Sequence, residues 1–294
     1  MPKVLITILF SIFLGGVHAD APLPEQYPED RIYTSSDRGY TQYGAPSLLK
    51  SGMYSLTFDD GPDPVKTPAL LDVLKKYDVK ATFFVITSLI TEKSFPVIKR
   101  MLDDGHIVAS HGLRHDNSND ITAAVWKARV KQSFIDLNKW YKKAGHKFDK
   151  HYYRFPYAAY GLRPDHHHFN SLKEISRELM NGNCIQFVFW DHDSGDWIPK
   201  MTSQEVAANL KATNVGGTYI TYKTIRTPGR AAYQVKIPTT IQATSGGVVL
   251  QHDIQANAVL ATENFLKYAL EENLSIIRLD EVEEFKVTKK CEMP

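Results

Sequence analysis

Met53-Tyr54-Ser55-Leu56-Thr57-Phe58-Asp59-Asp60-Gly61-Pro62 is an apolar strand that stops on two acids and a Gly-Pro break, and a helical pattern follows it. Leu70, Leu71, Leu74 and Tyr77 fall at the i, i+3, i+4 spacing of one buried helix face. The same alternation recurs along the chain. Apolar or β-rich runs occupy 80–86, 106–110, 152–155, 184–190, 246–251 and 275–279, with helical patterns near 66–77, 94–103, 120–145, 169–180, 202–213 and 257–271. Strand followed by helix, repeated about seven times, calls for a parallel sheet with right-handed crossovers. The expected fold over 53–285 is α/β, a distorted (β/α) barrel of about seven strands, TIM-like but short of the full eight units.

Residues 214–245 break that rhythm, being too long for an ordinary connection. Tyr219 to Arg226 and Ala232 to Ile237 are rich in Thr, Tyr, Val and Ile around Pro228-Gly229, which predicts an inserted β-hairpin. No acid occurs between Glu205 and Asp253, whereas Lys211, Lys223, Arg226, Arg230 and Lys236 do. Residues 20–52 are rich in Pro, Tyr and Gly without a clear period and read as an extended N-terminal wrap or linker; 286–294 read as a tail.

With 294 residues, 43% of them hydrophobic and 23% charged, the chain has ample material for a core and is too ordered in composition for a disordered tail. Thirty-five basic against 33 acidic side chains give a net charge of +2, so nothing marks a bulk nucleic-acid binder. Without a Cys-x-x-Cys or a visible repeat, zinc ribbons, redox dithiols and solenoids are excluded.

Residues 1–19 read as a signal peptide: Lys3 gives a positive start, Val4 to Val17 is apolar, and Val17-His18-Ala19 offers small residues at a cleavage site. That stretch falls short of the roughly 20 residues a membrane span needs. No Cys follows the cut, so a lipoprotein is not indicated. Export to the periplasm or medium is expected, with no stable membrane span. In such a compartment Cys184 and Cys291 either pair and clamp the C-terminal tail or stay as free thiols; the sequence leaves both open.

The chemistry-bearing residues fall at strand ends, where a parallel barrel builds its site. Neighbouring carboxylates on a strand face opposite ways; the break at Gly61-Pro62 lets Asp59 and Asp60 turn into one site. Two acids this close repel unless a cation or proton intervenes. After the third strand come His111 and His115, spaced so that both imidazoles reach one ion on a helical turn. Gly112, not Glu, follows His111, so the base must come from elsewhere, and Asp59 is available. Asp60, His111 and His115 make three ligands and leave an open coordination position. Arg154-Phe155-Pro156-Tyr157 offers a guanidinium to grip a carboxylate. Asp193-Ser194-Gly195-Asp196-Trp197 adds a further acidic motif, and Leu250-Gln251-His252-Asp253 a candidate acid, His252.

These five motifs, in this order and spacing, resemble the NodB-homology polysaccharide deacetylases, carbohydrate esterase family 4, over about residues 53–285. The resemblance implies metal-dependent hydrolysis of N-acetyl groups on a glycan. It makes Asp59 the general base, Asp60, His111 and His115 the ligands of zinc or another divalent metal, and His252 the general acid paired with Asp196. Arg154 would orient Asp59, the backbone N–H of Tyr157 would stabilise the oxyanion, and Trp197, Leu250 and Pro156 would line the substrate pocket.

Three departures from the family pattern stand out: Ala158, where a Gly usually follows the Tyr; Gly112, in place of the usual small hydroxyl residue between the two His, a minor change; and the hairpin before His252, whose basic residues are expected to contact an anionic glycan or simply be solvated. His166-His167-His168 reads as a solvated loop, and His192 and His106 as packing residues. Asp193 reads as supporting its own loop. The reading is an exported deacetylase of an acetylated glycan polymer, peptidoglycan before chitin oligosaccharides or O-acetylated xylan, with a non-catalytic glycan-binding protein as the alternative from another class. No nucleic-acid partner is expected, and the oligomeric state is left open.

Overall fold

The computed structural model describes residues 26–27, 31–34, 43–161, 168–227, 229, 231–286 and 291–294. The segment read as a signal peptide lies outside the described residues, as do His166, His167, Pro228 and Arg230.

Strand β1 (Met53–Asp59) is buried from Tyr54 to Asp59, on both faces, as befits the centre of a parallel sheet. It pairs in parallel with β2 (Thr82–Val85) on one side and β9 (Gly247–His252) on the other. Beyond β2 lie β3 (Ile107–Ser110), β4 (Tyr152–Tyr153) and β5 (Gln186–Phe187), and beyond β9 lies β6 (His192–Asp193). These seven parallel strands curl into a half-barrel. An eighth, β10 (Ser275–Ile276), meets only Met53 and Tyr54 at the start of β1.

The expected strand over 184–190 is shorter than the apolar run, and β6 is an extra strand absent from the sequence reading. The reason is a side chain. Arg154 donates from Nε to the carbonyl of Val188 (3.0 Å) and from one terminal nitrogen to that of Phe189 (3.1 Å), so these oxygens are taken up by a guanidinium instead of a ladder.

Helices α1 (Lys66–Lys76), α2 (Phe95–Asp103), α3 (Ala123–Ala144), α4 (His168–Met180), α5 (Ser203–Val215) and α6 (Ala256–Glu271) fall where the periodicity puts them. Their ends follow capping chemistry. The Thr122 hydroxyl accepts the Val125 N–H and starts α3; Gly145, at φ 82°, ends it. A reciprocal Thr202/Glu205 pair opens α5. Helix α4 corrects one expectation: His168 is fully buried, not on a solvated loop, with its ring stacked on Trp126 at 4.4 Å and Nε2 bonded to the Ser118 carbonyl.

The described parts of the N-terminal stretch pack on the barrel. Tyr27 and Tyr33 are buried against Phe187 and Phe169. The Gln26 side-chain amide bonds both the N–H and the C=O of Phe187, satisfying the outer edge of β5 as a further strand would. Cys184 and Cys291 are joined in a disulfide, 107 residues apart in sequence. The hairpin is present as β7 (Gly217–Ile225) and β8 (Tyr233–Ile241), longer than the sequence suggested and, among the described residues, paired only with each other, from Gly217 opposite Ile241 to Ile225 opposite Tyr233.

Candidate active site

Strand register assembles the site. Asp59 ends β1 directly beside His252 at the end of β9, and Asp193 of β6 is registered with Leu250. Asp60 then leaves the strand conformation at φ 77°, before a cis Gly61–Pro62 peptide. That left-handed residue is what turns the second carboxylate to the same side as the first.

Asp59 is buried, and one terminal nitrogen of Arg154 reaches its Oδ1 at 2.9 Å and Thr57 Oγ1 at 2.7 Å. Burial raises the Asp59 pKa; Arg154 and His252 pull against it. The guanidinium also lies 4.1 Å over the Phe84 ring, so this arginine, the one fully buried among the described residues, is held on every side. Burial also lowers the Arg154 pKa, opposed by Asp59.

Asp60 Oδ1 stands 3.2 Å from His115 Nε2 and 3.5 Å from His111 Nε2, and the ligand atoms of the three lie within 4.8 Å of one another. That oxygen is buried yet has no hydrogen-bond partner among the described residues. The His111 Nδ1 is bonded to the Arg154 carbonyl at 2.9 Å, which aims Nε2 at Asp60. Burial, with His115 and Arg154 nearby, lowers the His111 pKa to about 3 despite Asp60, so its imidazole is neutral. A neutral, oriented imidazole, a second imidazole and an orphaned carboxylate oxygen fit a divalent metal of the zinc type.

His252 faces this cluster. Its Nδ1 is 2.8 Å from Asp196 Oδ1, and its backbone N–H donates to Asp196 Oδ2 at 2.6 Å. Burial opposes the imidazolium, but Asp196, with Asp59 and Asp60 behind it, outweighs burial and pushes the pKa to about 10.

A cavity of about 540 Å³ opens over these groups, lined by Asp59, Asp60, His111, His115 and His252 together with Tyr157, Trp197 and Leu250. Pro156 is not among its lining residues; it borders a separate small recess beside Trp126 and Tyr153. Tyr157 and Ala158 both take positive φ, 57° and 52°, so Ala158 adopts the conformation that a glycine there would take freely. Asp193 accepts from Gly195 N and from Trp197 Nε1, a supporting role as read. His192 bonds the Gly246 carbonyl, and His106 accepts the Ala81 N–H; both are structural.

The sequence reading missed Asp253 and two cavity residues of the hairpin, Tyr222 and Gln234. Asp253 is buried, accepts the Thr67 hydroxyl, and sits so close under Gly61 that a Cβ there would lie 2.1 Å from its Oδ2. Burial pushes its pKa to about 7. Its position directly after His252 was the only available signal. Among the described residues, no basic side chain of the hairpin lines the cavity: Lys236 binds Glu205, and Lys223 and Arg226 are exposed.

Residues 49–175 match the family model described as polysaccharide deacetylase. The chain is 27% identical over 237 residues to the peptidoglycan-N-acetylglucosamine deacetylase PgdA of Listeria monocytogenes, covering 81% of this chain and 40% of that protein. It is 36% identical over 154 residues to the chitooligosaccharide deacetylase of Sinorhizobium fredii, covering 52% of this chain and 61% of the relative. The chain therefore spans about two fifths to three fifths of the length of these curated relatives. In fold it is similar to the solved Bc1960 peptidoglycan N-acetylglucosamine deacetylase, with TM-score 0.61 at 22% identity over 84% of this chain and 93% of that one.

Proposed function

We propose, from the premise that the chain carries a polysaccharide deacetylase domain, that it hydrolyses the N-acetyl groups of N-acetylglucosamine in peptidoglycan. The observation that carries this reading is one cavity holding a buried carboxylate, an Asp-His-His triad and a carboxylate-paired histidine.

Amide hydrolysis needs an activated water, relief of negative charge on the carbonyl oxygen, and a proton for the departing nitrogen. Asp59 takes the water's proton. Arg154 fixes Oδ1, leaving Oδ2 on the side of His111, 3.7 Å from its Nε2. A pKa raised by burial suits a carboxylate asked to accept a proton. Asp60, His111 and His115 would hold a divalent metal, zinc in this reading, which when bound polarises the acetamide carbonyl and acidifies water. The Tyr157 N–H takes part of the charge that develops on the carbonyl oxygen. His252, protonated because Asp196 holds its other nitrogen, gives a proton to the leaving amine. Trp197 and Leu250 receive the methyl group.

Export is part of the proposal. The apolar N-terminal run and a disulfide across 107 residues both fit an oxidising compartment. Among the described residues no helix is long and apolar enough to cross a membrane.

The test is acetate release from peptidoglycan and from chitin oligosaccharides, each with and without chelator. Chelator-sensitive release from peptidoglycan is expected. Release from the oligosaccharides alone would transfer the substrate to chitin; binding without release by wild type and Asp59→Asn alike would favour a non-catalytic glycan binder.

A further inference from the structure

The hairpin is built against the cavity and fixed there. The buried Asn209 side chain accepts the Ile220 N–H (2.7 Å) and donates to both the Ile220 carbonyl (2.8 Å) and the Ser194 carbonyl (3.0 Å). One side chain thus ties β7 to the Asp193–Trp197 motif. The Tyr219 hydroxyl donates to the Asp193 carbonyl. On the other strand, Lys236 reaches Glu205 Oε1 and the Lys200 carbonyl. These anchors make the hairpin a fixed wall.

Strand alternation decides what the wall shows. Ile220, Tyr222 and Thr224 share a face with their partners Pro238, Lys236 and Gln234. Ile220 packs on the cluster around Ile198 and Met201, so this face is turned to the barrel. From it, Tyr222 and Gln234 reach the cavity that holds Asp60, His115 and His252. The Tyr222 ring meets Trp197 edge-on, 4.7 Å between centroids at 71°, and Trp197 is fixed by its bond to Asp193. Tyr222 is nevertheless 41% exposed. It is an oriented aromatic ring at the cavity's rim with an amide beside it, and neither is needed for the hydrolysis. An aromatic face and an adjacent amide suit a sugar ring, which offers C–H groups on one side and hydroxyls at its edge.

We propose that Tyr222 and Gln234 form a binding subsite for the sugar unit next to the one being deacetylated, so that the hairpin sets a preference for longer glycans. This rests on the deacetylase reading of the same cavity. Tyr222 stacks on the neighbouring ring and Gln234 bonds its hydroxyl or acetamido group. Tyr233, two positions from Val235 on the opposite face and 55% exposed, gives a matched aromatic control on the same hairpin.

The experiment uses the full chain and N-acetylglucosamine oligomers of increasing length, with steady-state kinetics and, separately, calorimetric binding of the longest oligomer to metal-stripped protein. Tyr222→Ala is expected to raise KM on the longer oligomers about tenfold, the equivalent of about 1.4 kcal/mol, with kcat nearly constant and a smaller penalty on the shortest. Tyr222→Phe restores the wild-type KM, and Tyr233→Ala matches wild type throughout. A penalty equal at all lengths, or one confined to kcat, overturns the subsite. If wild type releases no acetate from any oligomer, the deacetylase reading on these glycans fails, and calorimetry still decides: a Kd unchanged by Tyr222→Ala overturns the subsite, whereas one weakened about tenfold, with Tyr222→Phe restoring it, supports it.

Discussion

On the cavity floor, Arg154 is fully buried and commits its donors to Thr57, Asp59 and the carbonyls of Val188 and Phe189. In the hairpin wall, Lys236 is partly exposed and its anchors are one carboxylate and one carbonyl. The floor is a closed network in which each polar group depends on the next, and the wall is a two-stranded ribbon held at a few points. A buried network fails as a unit when one member is removed, whereas a solvated ribbon loses about what one contact contributes. The groups proposed to carry the chemistry sit on the floor, where a single removal is expected to cost most, and the subsite proposed for a neighbouring sugar sits on the wall.

The largest expected effect breaks the floor chemically. Asp59→Asn should cut acetate release by about 10²- to 10⁴-fold, while metal content measured by atomic spectroscopy stays at the wild-type ratio. Loss of the metal along with activity would shift Asp59 from base to ligand. Next comes Arg154→Met, which leaves Asp59 buried without its cation. Stability should fall by about 3–5 kcal/mol in urea unfolding, the cost of an uncompensated buried charge. A drop under about 1 kcal/mol would place the pair in the same class as the wall.

Acid should weaken the barrel before the hairpin, because residues 217–241 contain no histidine. Burial holds His106 and His151 neutral with pKa values of about 4, below the ordinary 6.5. Their contribution is fully present above pH 6.5 and is lost as pH falls toward 4, by up to about 1.4 kcal/mol per group for each pH unit. Urea midpoints that stay flat between pH 6.5 and 4 would contradict this. Asp196→Asn removes the charge that raises the His252 pKa, so the His252 titration followed by NMR should move down from about 10. The smallest effect belongs to the wall: Lys236→Ala should cost under about 1 kcal/mol, and a larger loss in thermal unfolding would mean the hairpin is part of the core's cooperative unit.

Much of this was legible from residue order. The strand–helix alternation, the acids at the end of β1, the His-x-x-x-His spacing and the hairpin are local patterns, set by side-chain periodicity and backbone breaks within a few residues. Helix ends are local as well, since Thr122 and Gly145 act on their own neighbours, although the periodicity alone placed α3 only roughly, at 120–145. The 184–190 run misled because the carbonyls of Val188 and Phe189 found Arg154, 34 and 35 residues away, instead of a ladder. His168 misled because a triplet of histidines looks solvated until Trp126 is placed beneath one of them.

The sequence by itself named the acids and histidines at the strand ends and the order in which the strands deliver them, but not Asp253, Tyr222 or Gln234. Only the tertiary structure decided that Asp59 lies beside His252, that Arg154 grips Asp59 across 95 residues of chain, that Cys184 pairs with Cys291, and that Tyr222 and Gln234 enter the cavity. The physical reason is range. Periodicity and turn chemistry act between near neighbours, whereas strand register and the twist of a ribbon over a barrel are settled by packing among residues far apart in the chain.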